Sequence, residues 1–150
     1  EQLQEETGVS FLIISHDISV IAETCDRVGV MYGGKLMEIG TTEQVFDSPA
    51  NPYTMGLKTS FPDIQEAKDT LVSIPGSPPT LQDPEPGCRF RDRCPFATAE
   101  CEEQHPPLET VSTVDAEHRS ACHHLDKLDR MRTDAAEEST WAENQEGVGQ

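Results

Sequence analysis

The sequence predicts an α/β fold followed by a small, loop-rich cysteine module, and three observations predict it. Within VSFLIISHD (Val9 to Asp17), Phe11-Leu12-Ile13-Ile14 is a continuous apolar run, as expected of a parallel strand covered on both faces. Residues 27–40 alternate and turn like a hairpin, with helical patterns on either side. Residues 88–124 then gather four of the five cysteines and four of the five histidines.

The elements follow in order. Gln2-Leu3-Gln4-Glu5-Glu6 reads as the end of a helix, with Gly8 as its C-terminal cap. A helix end feeding a buried strand belongs to the middle of an α/β domain. With no methionine at Glu1, the 150 residues are expected to be the C-terminal part of a longer protein. Ser15-His16-Asp17 places polar groups at the strand's carboxyl end, where open α/β sheets put ligands. Asp17 suits an N-cap, and Ile18, Ile21, Ala22 and Cys25 form one apolar helical face, with Cys25 a small core residue.

Arg27-Val28-Gly29-Val30-Met31-Tyr32 alternates as a strand, Gly33-Gly34 makes a tight turn, and Lys35–Gly40 returns as its partner. Thr41 and Gln44 have the spacing of a capping box opening a helix over Glu43–Phe46, which Pro49 ends. A second short helix is expected at Tyr53–Thr59. Four units result: 1–61, the α/β part; 62–87, a linker marked by Pro62, Pro75, Pro78, Pro79, Pro84 and Pro86-Gly87; 88–124, the cysteine module; and 125–150, an acidic tail. Leu125, Leu128 and Met131 share a helical face, but beyond Arg132 the tail is Glu-rich with a lone Trp141 and is expected to stay disordered.

The net charge is −17, from 11 basic and 28 acidic residues, and the acidic excess runs along the whole chain. Such a coat serves solubility or adaptation to high salt, and both readings stand. It repels phosphate backbones, so direct nucleic-acid binding is disfavoured. No stretch approaches the roughly 20 apolar residues needed to cross a bilayer.

Three stretches together carry a resemblance. Leu12-Ile13-Ile14-Ser15-His16-Asp17, Asp26–Lys35 and Glu38-Ile39-Gly40 resemble the C-terminal third of an ABC-transporter ATPase domain, a P-loop NTPase. Gln44-Val45-Phe46, Pro49 and Asn51-Pro52-Tyr53-Thr54 are similar to the subset that energises oligopeptide and dipeptide uptake. Gly87-Cys88-Arg89-Phe90, Arg93-Cys94-Pro95, Cys101, Pro106-Pro107-Leu108 and His118 with Cys122 resemble that subset's C-terminal extension. The likeness covers roughly residues 1–124.

The resemblance implies that His16 is the switch histidine of the nucleotide site. Phosphoryl transfer needs donors aimed at γ-phosphate charge and an oriented water more than covalent help. Read without the resemblance, His16 is a strand-end histidine satisfied by packing. The resemblance also implies ATP and Mg2+ in the complete protein, a second ATPase subunit, transmembrane permeases, indirect action with an extracytoplasmic binding protein, and a place on the cytoplasmic membrane face. No GxxxxGK[ST] occurs in the chain. The family's magnesium-binding aspartate, adjacent glutamate and signature loop are also missing, so the chain alone is expected to hydrolyse no ATP.

Cys88, Cys94, Cys101 and Cys122 are separated by five, six and twenty residues. Zinc knuckles usually begin with two to four residues between ligands, which neither short gap matches. Irregular spacing and Cys94-Pro95 suit an iron–sulfur cluster, and disulfides are the third reading, opposed by a cytosolic setting. Arg89, Arg91 and Arg93 are expected to lower thiol pKa values locally. The resemblance points to a 4Fe–4S cluster on these four positions, with zinc as the alternative. His105, His118, His123 and His124 are read as surface groups or as supports for ligands. Two other functions compete with peptide import: a free-standing metal-binding interaction module, and the ATPase subunit of an importer of nickel or another small solute.

Overall fold

In the computed structural model, the described residues are 7–60, 74–82, 84–112 and 117–142. The expected hairpin forms as β1 (Arg27–Tyr32) and β2 (Lys35–Thr41), antiparallel, with Arg27 opposite Thr41 and Tyr32 opposite Lys35. Gly33 and Gly34 close it with φ values of 55° and 74°, a turn that side-chain-bearing residues adopt only with strain. A register shift between Val30 and Met31 marks an irregularity in the ladder.

Local capping then sets the helices. Helix α1 (Ile18–Thr24) starts where Asp17 accepts hydrogen bonds from the Ser19 and Val20 amides at 3.0 and 3.3 Å. Its expected core face, however, contains no buried residue, and Cys25 at its end is only half-buried. Helix α2 (Thr42–Asp47) has the reciprocal box. The Gln44 amide donates to Thr41 Oγ1 at 3.2 Å, and the Thr41 amide donates to Gln44 Oε1 at 2.9 Å. Helix α3 (Pro52–Ser60) places Pro52 at its first position, where no amide hydrogen is needed, and Asn51 Oδ1 accepts from the Tyr53 amide at 3.0 Å.

The sheet departs from expectation. Strands β3 (Leu108–Thr110) and β4 (Arg119–Ala121) extend the hairpin, giving the order β1-β2-β4-β3 with every pairing antiparallel. Glu38 pairs with Ser120 and Ile39 with Arg119. The cysteine module therefore completes the hairpin's sheet instead of following it as an independent unit. Residues 9–17, expected as a buried parallel strand ending in His16-Asp17, belong to no strand. Leu12 and Ile14 are 90% and 92% exposed. The physical reason is local: no described strand offers that segment a backbone ladder, and none of the described elements covers its two apolar faces.

Alternation along β2 covers both its faces. Met37 points into the hydrophobic core, and the next side chain, Glu38, is equally sealed on the other face. The core gathers Tyr32, Met37, Ala50, Met55, Phe90, Leu128, Met131, Ala135 and Trp141. Tyr32, Tyr53 and Phe90 form an aromatic triangle with centroids 4.6 to 5.3 Å apart.

The described part of the tail is ordered, against expectation. Short helix α4 (Ala99–Glu103) lies in the cysteine module; after it and the strands come α5 (Leu128–Ala135) and α6 (Glu138–Ala142). Trp141 is 1% exposed and its Nε1–H donates to the Ala135 carbonyl at 2.9 Å. One large aromatic supplies more apolar area than the polar composition around it suggests. Residues 143–150 of the expected tail and 61–73 of the expected linker lie outside the described residues, as does the opening helix end at residues 2–6. Ile74, in the described remainder of the linker, packs on the core.

Candidate functional site

The four sequence-predicted cysteines come together. A positive φ of 99° at Gly87 turns the chain so that Cys88 donates its amide to the Cys101 carbonyl at 2.7 Å. A Cβ on Gly87 would lie 2.6 Å from that same carbonyl, so the close approach needs glycine. A 3-10 turn over Arg91–Arg93 carries the chain to Cys94, whose amide donates to the Arg91 carbonyl at 3.1 Å. Cys101 is buried in α4, and Cys122 directly follows β4. All four line one cavity of about 20 Å3, together with Phe90 and Met37.

Burial dominates the chemistry of these thiols. It pushes Cys88 upward, Cys94 far upward and Cys122 to about 11, with neighbouring thiols adding to the rise. Arg91 lowers the Cys88 pKa, as expected from sequence, but burial outweighs it and the net direction is upward. Arg93 donates to the Pro75 and Ile74 carbonyls at 2.6 and 2.9 Å and lies over the Tyr32 ring. Arg91 pairs with Glu85 and the Pro86 carbonyl, and Arg89 donates to the Glu85 carbonyl at 2.7 Å. These partners hold the arginines, and desolvation outweighs the Arg91 charge at Cys88.

As donors the cysteines suit a four-thiolate group in kind but not in size. A 20 Å3 space holds about one water molecule. Among the described residues, no three His, Cys, Asp or Glu side chains converge closely enough to hold a metal ion. The cysteines there are free thiols. Two histidines border the site: His124 Nε2 is 3.7 Å from Cys101 Sγ and 3.3 Å from Thr98 Oγ1, and the His124 amide donates to Cys122 Sγ at 3.4 Å. Burial and the Lys127 charge lower the His124 pKa. His123 sits 3.4 Å from a Glu100 oxygen and 3.0 Å from the Gln104 carbonyl.

His118 is neither a surface group nor beside the sulfurs. Its Nε2 is 2.7 Å from Glu38 Oε1, and both residues are buried. Glu38 also accepts the Ala50 and Asn51 amides at 2.7 and 3.0 Å. The Asn51 amide group donates to the Ala121 carbonyl at 2.9 Å and the Met37 carbonyl at 3.2 Å, with Ser120 Oγ at 3.4 Å. Sequence reasoning assigned no role to Glu38, Asn51 or Ser120. The one available signal was Asn51-Pro52, an N-cap followed by a helix-opening proline.

His16 is exposed and stands between the unpaired apolar segment and α1. The neighbouring Asp17 amide donates to Ser15 Oγ at 2.9 Å, so the caps around it are formed locally. Fifty or more residues separate it from the cysteines in sequence, and it takes no part in their cavity.

Residues 37–101 match the sequence model of the oligopeptide/dipeptide transporter, C-terminal region. This part of the chain is an oligopeptide/dipeptide transporter C-terminal region. It runs from the middle of β2, through α3, to the third cysteine, so it includes Met37, Asn51, Pro52 and three of the four cavity cysteines, while Cys122 lies beyond it. Curated relatives agree. The chain is 44% identical over 101 residues to the oligopeptide transport ATP-binding protein of Haemophilus influenzae, covering 67% of this chain and 31% of that protein. It is 40% identical over 121 residues to a probable peptide ABC transporter ATP-binding protein of Sinorhizobium fredii, covering 80% and 35%. For the dipeptide transport ATP-binding protein of Bacillus subtilis the identity is 43% over 106 residues, covering 71% and 32%. The chain thus spans about a third of the length of the curated relatives it matches. Among the described residues no helix is long and apolar enough to cross a membrane.

Proposed function

We propose that this chain is the C-terminal part of the ATP-binding subunit of an importer for oligopeptides or dipeptides. The observation that carries the reading is the match of residues 37–101 to the transporter C-terminal region, reinforced by relatives that are ATP-binding proteins of peptide transport. In the complete subunit, ATP and Mg2+ bind to residues outside this chain, and His16 contributes one contact to the γ-phosphate. Its exposed position before a locally capped helix leaves the imidazole accessible for that contact. The exposed apolar segment before it, Phe11 to Ile14, becomes an interior strand when the rest of the ATPase domain covers it. The subunit works at the cytoplasmic face of the membrane with a second ATPase subunit and two permeases, and indirectly with an extracytoplasmic peptide-binding protein. It has no nucleic-acid partner.

Cys88, Cys94, Cys101 and Cys122 are proposed to hold a 4Fe–4S cluster, with zinc as the alternative; the support is that all four line one cavity. A cluster bound there would supply a covalent tie among four chain segments and an electron-accepting centre. No step of ATP hydrolysis runs through it.

The test is phosphate release. This chain alone is expected to release none above background, because it lacks a phosphate-cradling P-loop. Joined to the preceding part of the subunit it is expected to hydrolyse ATP, and His16→Ala in that protein is expected to lower turnover. Turnover by the isolated chain, or a full subunit indifferent to His16→Ala, would overturn the assignment.

A further inference from the structure

The backbone at His16 is shaped by its two sequence neighbours. Ser15 Oγ accepts the Asp17 amide at 2.9 Å, a bond that spans His16 and bends the chain at that residue. Asp17 is fixed through its carbonyl and its carboxylate as well. Its Oδ1 accepts the Ser19 and Val20 amides at 3.0 and 3.3 Å, and its carbonyl accepts the Ile21 amide at 3.3 Å. His16 thus stands at the apex of a serine turn that runs directly into a helix cap.

The far end of that helix is fastened too. Helix α1 contains no buried residue, so side-chain packing holds it only loosely. Just beyond its C-terminal end, the Asp26 carbonyl accepts the Thr42 amide at 3.0 Å, and the Cys25 carbonyl accepts from Thr42 Oγ1. Thr42 opens α2, immediately after β2. A continuous line of hydrogen bonds therefore runs from the hairpin, through α1, to the backbone at His16. The Ser15 and Asp17 contacts reach at most four residues along the chain, so they do not depend on what covers Phe11 to Ile14.

We infer that Ser15 and Asp17 are positioning residues for His16, fixing the main chain that carries its imidazole. The inference rests on the reading of His16 as a γ-phosphate contact and goes beyond it by naming what aims the ring. Asp17 acts through His16 and not on the nucleotide: its carboxylate caps two amides. Aim matters because a contact misplaced by about 1 Å costs up to about 10²-fold in rate.

The experiment measures ATP turnover by the complete ATP-binding subunit. Asp17→Ala is expected to lower kcat about tenfold with the KM for ATP unchanged, because the ring is misaimed while nucleotide binding is left intact. Asp17→Asn is expected to restore turnover, since an asparagine oxygen caps a helix about as well as aspartate. Ser15→Ala is expected to slow turnover in the same way and Ser15→Thr to restore it. The double variant His16→Ala/Asp17→Ala is expected to be no slower than His16→Ala. In the 150-residue chain itself, amide exchange at Ser19 and Val20 is expected to quicken about fivefold in Asp17→Ala and to stay unchanged in Asp17→Asn. Full turnover in Asp17→Ala beside a slow His16→Ala overturns the positioning role alone. Asp17→Asn as slow as Asp17→Ala also overturns it, because charge and not capping would then matter. A double variant slower than His16→Ala gives Asp17 a role apart from the ring and overturns it likewise. Unchanged exchange at Ser19 and Val20 in Asp17→Ala overturns the cap as the means. Full turnover in His16→Ala overturns the γ-phosphate reading, and this inference falls with it.

Discussion

His118 Nε2 lies 2.7 Å from Glu38 Oε1 in a site sealed from solvent, joining the strand contributed by the hairpin to the approach to β4. The carboxylate is contacted from three directions: His118 and the Ala50 amide meet Oε1, and the Asn51 amide donates to Oε2. A buried charge held this way is weak evidence for added stability, yet breaking it is expensive. Glu38→Ala is expected to destabilise the chain by about 3–5 kcal/mol, since it orphans a buried imidazole and two amides. His118→Ala is expected to cost a similar amount, and the double variant much less than the sum. Urea unfolding of the four proteins measures the coupling; additive losses would show that the pair does not act as a unit.

Trp141 and Gly56 are complementary. A Cβ added at Gly56 would meet Trp141 at 2.7 Å and Ile74 at 2.8 Å. Gly56→Ala is therefore expected to cost about 1–3 kcal/mol through overpacking. Trp141→Ala is expected to cost about 3–5 kcal/mol through the cavity it leaves. In the Trp141→Ala background, Gly56→Ala is expected to lose part of its penalty, because the ring is gone while the Ile74 contact stays. Thermal or urea unfolding of the set decides; an undiminished penalty would place the strain elsewhere.

Alkaline pH should weaken this fold. Burial raises the Cys122 thiol from the ordinary 9.0 to about 11, and raises Cys88 and Cys94 as well. A group whose folded pKa exceeds its unfolded value contributes stability that is complete below the unfolded pKa and is lost as pH rises through the folded one. Stability of the reduced chain is thus expected to be level below about pH 8 and to fall between pH 9 and about 11. Cys122→Ser is expected to flatten part of that fall. A pH series of urea midpoints tests it, and an unchanged slope in the variant would remove Cys122 as a cause.

The opposite sign holds on the acid side. Burial, followed by the Lys127 charge, lowers the His124 pKa below its ordinary 6.5. The neutral ring contributes stability present above 6.5 and lost as pH falls through the lowered value. His124→Asn is expected to reduce the acid-side loss while leaving the alkaline fall in place. Urea midpoints between pH 7 and pH 4 provide the measurement.

His16 is expected to separate stability from function. Exposed as it is, His16→Ala should change the unfolding free energy of this chain by less than about 0.5 kcal/mol. In the complete ATP-binding subunit the same substitution is expected to lower turnover by about 10²–10³, the usual range for removing one donor from developing charge. Substantial destabilisation of the chain would instead mean a packing role.

What sequence alone determined is local. The hairpin was legible because Gly33-Gly34 can adopt the positive φ its turn requires, flanked by strand-like residues. The helix after it was legible because Thr41 and Gln44 satisfy each other's amides within four residues. The four cysteines fall within one short stretch of the sequence, and in the structure they line one cavity. Tertiary structure decided the rest. Antiparallel addition of β4 to β2 depends on residues some 80 apart, and no local pattern at Glu38 announces His118 as its partner. The ordering of Trp141 depends on the space above Gly56, which exists only after α3 and α5 have packed. The thiol chemistry reversed because burial, which only the packed fold creates, outweighs the Arg91 charge that lowers Cys88. The apolar run from Phe11 to Ile14 shows the same limit from the other side. Periodicity measures a segment's capacity to be buried, while burial itself needs partners to cover it.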